Sequence, residues 1–296
     1  MPRNRRAFKQ VDVFTAEPYQ GNPLAVVLDG IGLSNAEMQQ FTDWTNLSEA
    51  TFVLPPLNDQ ADYRVRIFCP GRELPFAGHP TLGTCHAWLE AGGLPKGPTV
   101  VQECGIGLVQ IRREGHLLSF AAPPRRKVGP LDPADVDLIT RGLGLSADDI
   151  IDHAWCDNGP RWRGVLLRSA ELVLALKPDA AILAGLDIGV VGPRAKVGVV
   201  GHHPTVETSP SVEENVAFEV RAFFPGHSGM FEDPVTGSLN AGLAQWLIGA
   251  GHAPPNYIAS QGTAVGRAGR VYVESADGEI WVGGESVTCI DGHVRI

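Results

Sequence analysis

The sequence predicts an α+β protein of two similar halves, each a curved, mostly antiparallel sheet wrapped round a central apolar helix. Three observations lead there. First, Tyr63-Arg64-Val65-Arg66-Ile67-Phe68-Cys69-Pro70-Gly71 returns 155 positions later as Phe218-Glu219-Val220-Arg221-Ala222-Phe223-Phe224-Pro225-Gly226, with Val, Arg, Phe, Pro and Gly identical. Second, each copy runs on into a turn bearing Pro, Thr and Gly and then an apolar helix, with Thr81 and Thr236 still 155 apart. Third, Tyr63, Val65 and Ile67, like Phe218, Val220 and Ala222, alternate with polar residues, the period of a half-buried strand. A duplication of this length implies two related halves rather than a solenoid, and the crevice between them is the first place to look for a ligand.

The elements follow in order. Met1 to Gln10 is basic at Arg3, Arg5, Arg6 and Lys9 with no apolar stretch behind it, so it reads as a frayed tail rather than a secretory signal. From Val11 to Leu28 the chain reads as two strands joined by Tyr19-Gln20-Gly21-Asn22-Pro23, where Gly, Asn and Pro supply the turn. Ser34 and Glu37 form a capping box, Leu33 and Met38 are spaced for a hydrophobic staple, and Met38, Phe41 and Trp44 recur on one face of a helix ending near Asn46. Thr51 to Leu54 is a short strand, which leaves Ser48-Glu49 at a helix-to-strand junction.

Two helices, near 80–91 and 234–249, are apolar all round, as expected where a sheet encloses a helix. Pro80 at a first helical position makes His79 the expected N-cap, and Asp233 before Pro234 takes the matching place. Each half closes with a hairpin. One joins Val109-Arg112 to Leu117-Phe120 through Glu114-Gly115, and the other joins Val271-Val273 to Ile280-Val282 through Asp277-Gly278. Between the halves, Ala121-Ala122-Pro123-Pro124 and the basic run Arg125-Arg126-Lys127 read as a solvated linker. The first half is therefore 1–124 and the second 125–296, with the C-terminal strand free to cross back to the first.

Bulk properties narrow the function. A chain of 296 residues, 44% hydrophobic and 19% charged with 35 glycines, is globular and turn-rich, and no apolar run nears the roughly 20 residues needed to span a bilayer. A net charge of −9 argues against a nucleic-acid partner. Five cysteines without CxxC spacing favour neither a disulfide framework nor a zinc site, so a reducing, cytoplasmic setting is expected.

Three places could carry chemistry. Gly78-His79-Pro80-Thr81 begins a helix, where free N–H groups attract anions, although a His there can also merely line the entrance. In Glu232-Asp233-Pro234-Val235-Thr236-Gly237-Ser238 the Asp can be functional or simply a cap. Glu49 alone would be an ordinary surface carboxylate; beside a His and an Asp in a facing half it becomes a candidate proton carrier. No hydrolase elbow, phosphate loop or dinucleotide fingerprint occurs, so the sequence demands no cofactor.

Taken together, Gly21-Asn22-Pro23-Leu24-Ala25-Val26-Val27, Ser48-Glu49-Ala50-Thr51-Phe52, the run from Arg66 to Gly83 and the run from Glu232 to Ser238 resemble the PhzF-like phenazine-biosynthesis isomerase family. The resemblance implies the diaminopimelate-epimerase type of fold, with two pseudo-symmetric halves and the active site between them. It also implies a cofactor-free enzyme, usually a homodimer. The family's catalytic glutamate, histidine and aspartate fall on Glu49, His79 and Asp233. Gly78, Gly237 and Ser238 fall on loops whose amides hold a substrate carboxylate, and Asn22 and Ser48 fall among the substrate contacts. Racemases of this fold place a thiol in each loop; here Ala77-Gly78 and Asp233 stand there instead, which disfavours a two-thiol mechanism. The expected activity is proton and double-bond movement on a small cyclic or unsaturated carboxylate. The alternatives are a single-Glu epimerase or racemase and a non-catalytic ligand-binding protein on the same fold.

Overall fold

The short apolar runs and turn residues of the first half become, in a computed structural model describing residues 4–195, 215–226 and 229–296, eight strands and two helices. These are β1 (Arg5–Val13), β2 (Asn22–Val27), α1 (Asn35–Thr45), β3 (Ala50–Leu54), β4 (Tyr63–Cys69), β5 (Arg72–Leu74), α2 (Gly78–Glu90), β6 (Val100–Cys104), β7 (Gly107–Glu114) and β8 (Leu117–Ala121). The rest forms α3 (Pro133–Gly142), β9 (Ile150–Trp155), β10 (Arg163–Leu167), α4 (Ala170–Ala175), β11 (Ile188–Pro193), β12 (Val216–Gly226), β13 (Gly229–Asp233), α5 (Gly237–Gly249), β14 (Asn256–Gln261), β15 (Gly269–Ala276), β16 (Glu279–Gly284) and β17 (Ser286–Arg295). None of the described helices is long and apolar enough to cross a membrane.

The sense of strand pairing repeats along the chain. β1 is antiparallel to β2, β2 parallel to β3, and β3 antiparallel to β4; β4 is then antiparallel to β5 and parallel to β6, and β6, β7 and β8 follow antiparallel. The series from β9 to β16 has the same senses in the same order. The sheet is therefore mixed, antiparallel apart from two parallel pairs in each series. β8 pairs with β16 and β17 pairs with β1, so all seventeen described strands belong to one hydrogen-bonded network.

Burial follows the same logic. α2 and α5 are nearly apolar all round, and α2 packs against β1, β2, β3, β6, β8 and β17 while α5 packs against β15, β16 and α2. One buried cluster runs through both helices, from Val13, Leu24 and Leu82 to Leu239, Trp246 and Val282. The two series thus share their main core rather than each holding its own. Smaller clusters lie outside it. Met38 of α1 packs with Ala25, Ala50, Phe52 and Phe68, and Ile139 of α3 and Val173 of α4 pack with Val165 and Val190.

Three sequence expectations need correction. The basic N-terminus is not a frayed tail from Arg5 onward, because it forms most of β1 between β2 and β17; Arg3 lies outside the described residues. Arg6 is buried and donates to the carbonyls of Asp29 and Ile31, and the ammonium of Lys9 meets Asp291 of β17 at 2.8 Å, so basic side chains tolerate burial once other segments supply acceptors. Second, β12 is not half-exposed: Glu219 and Arg221 are also buried. Arg221 forms a fork with Glu232 and donates to the carbonyls of Val173 and Leu176, since α4 covers that face. Its counterpart in β4, Arg66, forms the same fork with Glu73 but nearer the surface. Third, α2 and α5 start elsewhere. Ala77, not His79, is the N-cap of α2, and Thr236, not Asp233, is that of α5. Pro80 fits inside the first turn because its missing N–H would have had no intrahelical acceptor.

Candidate active site

Local signals place Glu49. The capping box of Ser34 and Glu37 starts α1, and Asn46, left-handed at φ 56°, ends it, so the chain turns back within three residues into β3. Ala50 is held between Ala25 of β2 and Phe68 of β4, and Thr84 of α2 donates to the Thr51 hydroxyl at 2.8 Å. Glu49 therefore stands at the mouth of a strand anchored on both edges and from the helix beneath it. Ser48 precedes it, half-buried, without a hydrogen bond from its side chain to the other candidates.

His79 reaches the same spot from the first turn of α2. Its Nε2 is 3.5 Å from Glu49 Oε2, too long for a formed hydrogen bond, and both atoms are shut from solvent with no hydrogen-bond partner among the described residues. The Glu49 side chain keeps 16% of its surface exposed, its Oε2 is buried, and its Oε1 meets no hydrogen-bond donor among the described residues, so Oε1 is the oxygen open to the outside. Burial pushes the His79 imidazolium down to about 3, leaving the ring neutral at ordinary pH. The Glu49 carboxyl is pushed well above the ordinary range, first by burial and then by the charge of Asp233.

Asp233 ends β13. Burial raises its carboxyl to about 6 against the opposing pull of hydrogen bonds from Thr236 and Asn22. Thr236 Oγ1 donates to Oδ2 at 2.6 Å and Asn22 Nδ2 donates to Oδ1 at 2.9 Å. Asn22 is fully buried at the start of β2, where Asp12 accepts from the amide of the adjacent Gly21. The sequence separates Asn22, Glu49, His79 and Asp233 widely, and the fold brings them within one continuous set of contacts.

The helix starts meet head to head. A Cβ on Gly78 would stand 2.9 Å from the Cα of Gly237 and from the Phe120 ring, and one on Gly237 would stand 3.0 Å from the Cα of Gly78. Neither helix has a side-chain cap, so two sets of first-turn amides and two positive dipole ends converge, an arrangement suited to a carboxylate. Gly237→Ala is accordingly expected to lower unfolding free energy by about 1–3 kcal/mol through overpacking. Denaturant unfolding measures this, and an unchanged midpoint would show that the helix starts can separate freely.

Several residues here escape sequence reading. Gln261 of β14 donates to Thr236 Oγ1 and to the Asp233 carbonyl, and accepts from the Thr236 amide and Asn240. Gln102 of β6 donates in the same way to Thr81, so the repeated threonines are each held by a glutamine from the following strand. The Thr81 and Thr236 match is the one sequence signal for that pair. Trp162 donates to the Ser238 hydroxyl and Asn158 to its carbonyl, and no local pattern marks either. Cys69 and Cys85 occupy neither helix start. A groove lined by Arg112, Tyr257, Tyr272 and Trp281 contains none of the candidate residues.

Comparison with known proteins adds to this geometry. A family model described as phenazine biosynthesis-like protein, PhzC-PhzF, matches residues 11–292. The chain is 36% identical over 303 residues to antisense-enhancing sequence 1 of Schizosaccharomyces pombe, covering 97% of each chain. It is 32% identical over 286 residues to trans-2,3-dihydro-3-hydroxyanthranilate isomerase of Pseudomonas aeruginosa, covering 95% of this chain and 92% of the relative. A crystal structure of a PhzF-family phenazine biosynthesis protein from Enterococcus faecalis superposes with TM-score 0.77 at 23% identity, covering 99% of this chain and 100% of the other. A probable proline racemase from Agrobacterium radiobacter gives TM-score 0.57 at 14% identity, covering 98% and 92%. At those identities the two structures speak for the fold alone.

Proposed function

Given that this chain belongs to the phenazine biosynthesis-like PhzC-PhzF family and is an isomerase, we propose that it moves a proton, and with it a double bond, on a small cyclic or unsaturated carboxylate. One observation carries the reading: Glu49 has one oxygen closed against neutral His79 and the other open. Oε1 takes a proton from a substrate carbon, the electron pair spreads into the conjugated system, and the proton returns at the far end. No net oxidation occurs. A carboxyl raised by burial and by Asp233 is a better base, once ionised, than an ordinary one, and holds the proton long enough to return it. The first-turn amides at Gly78, Gly237 and Ser238 would hold the substrate carboxylate. Asp233 and His79 would orient the reacting ring.

The repeated pairing series supports a finer reading of the fold, in which the halves are pseudo-symmetric copies round α2 and α5 and the substrate lies where the copies meet. A homodimer in a cytoplasmic setting, with neither nucleic acid nor membrane as partner, belongs to the same reading. The test is turnover in heavy water, with trans-2,3-dihydro-3-hydroxyanthranilate and a panel of dihydroaromatic amino and hydroxy acids. The expected product carries deuterium at the carbon that receives the proton. Absence of turnover across the panel would favour the ligand-binding alternative, and isomerisation with no deuterium uptake in single or repeated turnovers would remove a solvent-exchanging carboxylate as carrier.

A further inference from the structure

We propose that Asn22 is a positioning residue that locks His79 in the tautomer carrying its proton on Nε2, so that the ring presents an N–H to Glu49. The catalytic consequence rests on the isomerase reading above; the tautomer rests on geometry alone. A carboxamide nitrogen has two protons to give. Those of Asn22 go to Asp233 Oδ1 and to the Val235 carbonyl, each at 2.9 Å. The same nitrogen lies 3.4 Å from His79 Nδ1. A proton on Nδ1 would point at a nitrogen with no lone pair to offer, whereas a bare Nδ1 faces the positive edge of the amide. Turning the carboxamide over offers no escape, because Oδ1 would then face two acceptors, the Asp233 carboxylate and the Val235 carbonyl.

The other side of the ring agrees. Nε2 faces Glu49 Oε2 at 3.5 Å, a separation a small movement would turn into a hydrogen bond, and neither atom has a hydrogen-bond partner among the described residues. His79 is 4% exposed, so water does not compete for the choice. A proton on Nε2 therefore has a carboxylate oxygen in front of it, whereas one on Nδ1 meets only the Asn22 amide, and which ring nitrogen carries it is set by what the other one meets. This also gives Asn22 a task distinct from touching substrate. It joins β2 to the end of β13 and the turn that follows, and one carboxamide nitrogen bridges the His79 ring and the Asp233 carboxyl.

The tautomer can be read directly by nitrogen NMR on the full chain labelled with 15N-histidine, with the His79 signals identified by their loss in His79→Gln. The expected wild-type pattern is a protonated Nε2 and a bare Nδ1. Asn22→Asp offers Nδ1 an acceptor and should move the proton to Nδ1, with turnover reduced about 10-fold or more by loss of the N–H facing Glu49. Asn22→Ser, a gentler change, should populate both forms. A wild-type spectrum with the proton on Nδ1 overturns the proposal whatever the variants do, and so does an unaltered Nε2–H pattern in either folded variant. If the spectra behave as expected but Glu49→Gln turns over normally, the tautomer lock stands and the isomerase mechanism falls.

Discussion

Replacing Glu49 by Gln is expected to lower turnover by about 100-fold or more while leaving ligand binding nearly intact, the outcome of removing general acid–base catalysis without changing shape. Glutamine has the volume of glutamate, and its carbonyl oxygen can take the place of Oε2 opposite the His79 Nε2. The open side then carries an amide, which cannot accept a proton from carbon. In the wild type, the acid limb of kcat/KM against pH should lie well above the ordinary carboxylate range, because burial and Asp233 both raise Glu49. Activity rises as pH climbs through that limb, where the base becomes ionised. Steady-state kinetics with a parallel binding titration would check both parts. Wild-type turnover in the Gln variant would take Glu49 out of the mechanism, and His79, neutral down to about pH 3, would be a poor replacement base.

The second large effect is expected at Asp233, where Asn should reduce turnover about 10-fold or more and yet stabilise the protein at neutral pH. The folded chain holds a proton at Asp233 up to about pH 6, whereas an unfolded chain releases it near 3.8. The stabilising difference is therefore fully present below about 3.8 and is lost as pH rises through about 6. The gap corresponds to roughly 3 kcal/mol at neutral pH. Asparagine stays neutral, so the variant should gain about 1–3 kcal/mol over wild type at pH 7 and little at pH 3.5. Its carboxamide can still accept from Asn22 and can donate to Thr236 Oγ1, which preserves the two contacts. Removing the Asp233 charge should also lower the acid limb set by Glu49. Urea unfolding at the two pH values decides the matter. A loss of stability at pH 7 with unchanged turnover would reduce Asp233 to a structural anchor of its turn.

Parts of this site are legible in the amino-acid sequence because their signals are local. The Ser34 and Glu37 capping box, the left-handed stop at Asn46 and the Asp277-Gly278 turn each involve a few neighbouring residues whose backbone preferences act alone. Glu49, His79 and Asp233 stand out through motif resemblance. Other features are hidden for physical reasons. Arg5 to Gln10 resembles a tail because the strand that covers it, β17, lies at the opposite end of the chain. The starts of α2 and α5 depart from the Pro-based expectation because their amide ends abut at Gly78 and Gly237, a packing decision rather than a propensity. Gln261 and Trp162 carry no pattern, and only the fold shows that they hold Thr236 and Ser238.

By itself the amino-acid sequence determined the period-two strands, the two all-apolar helices, the duplicated stretch and the residue types available for acid–base work, since each depends on neighbours within a turn or a strand. The tertiary structure alone decided which of those residues meet. It set Glu49 against His79, gave both protons of the Asn22 amide to Asp233 and Val235, and joined the two strand series through β8 with β16 and β17 with β1. It also decided what the carboxyls and the imidazole can do. A group's affinity for a proton depends on how much water and which charges surround it, and those surroundings are assembled from segments that lie far apart along the chain.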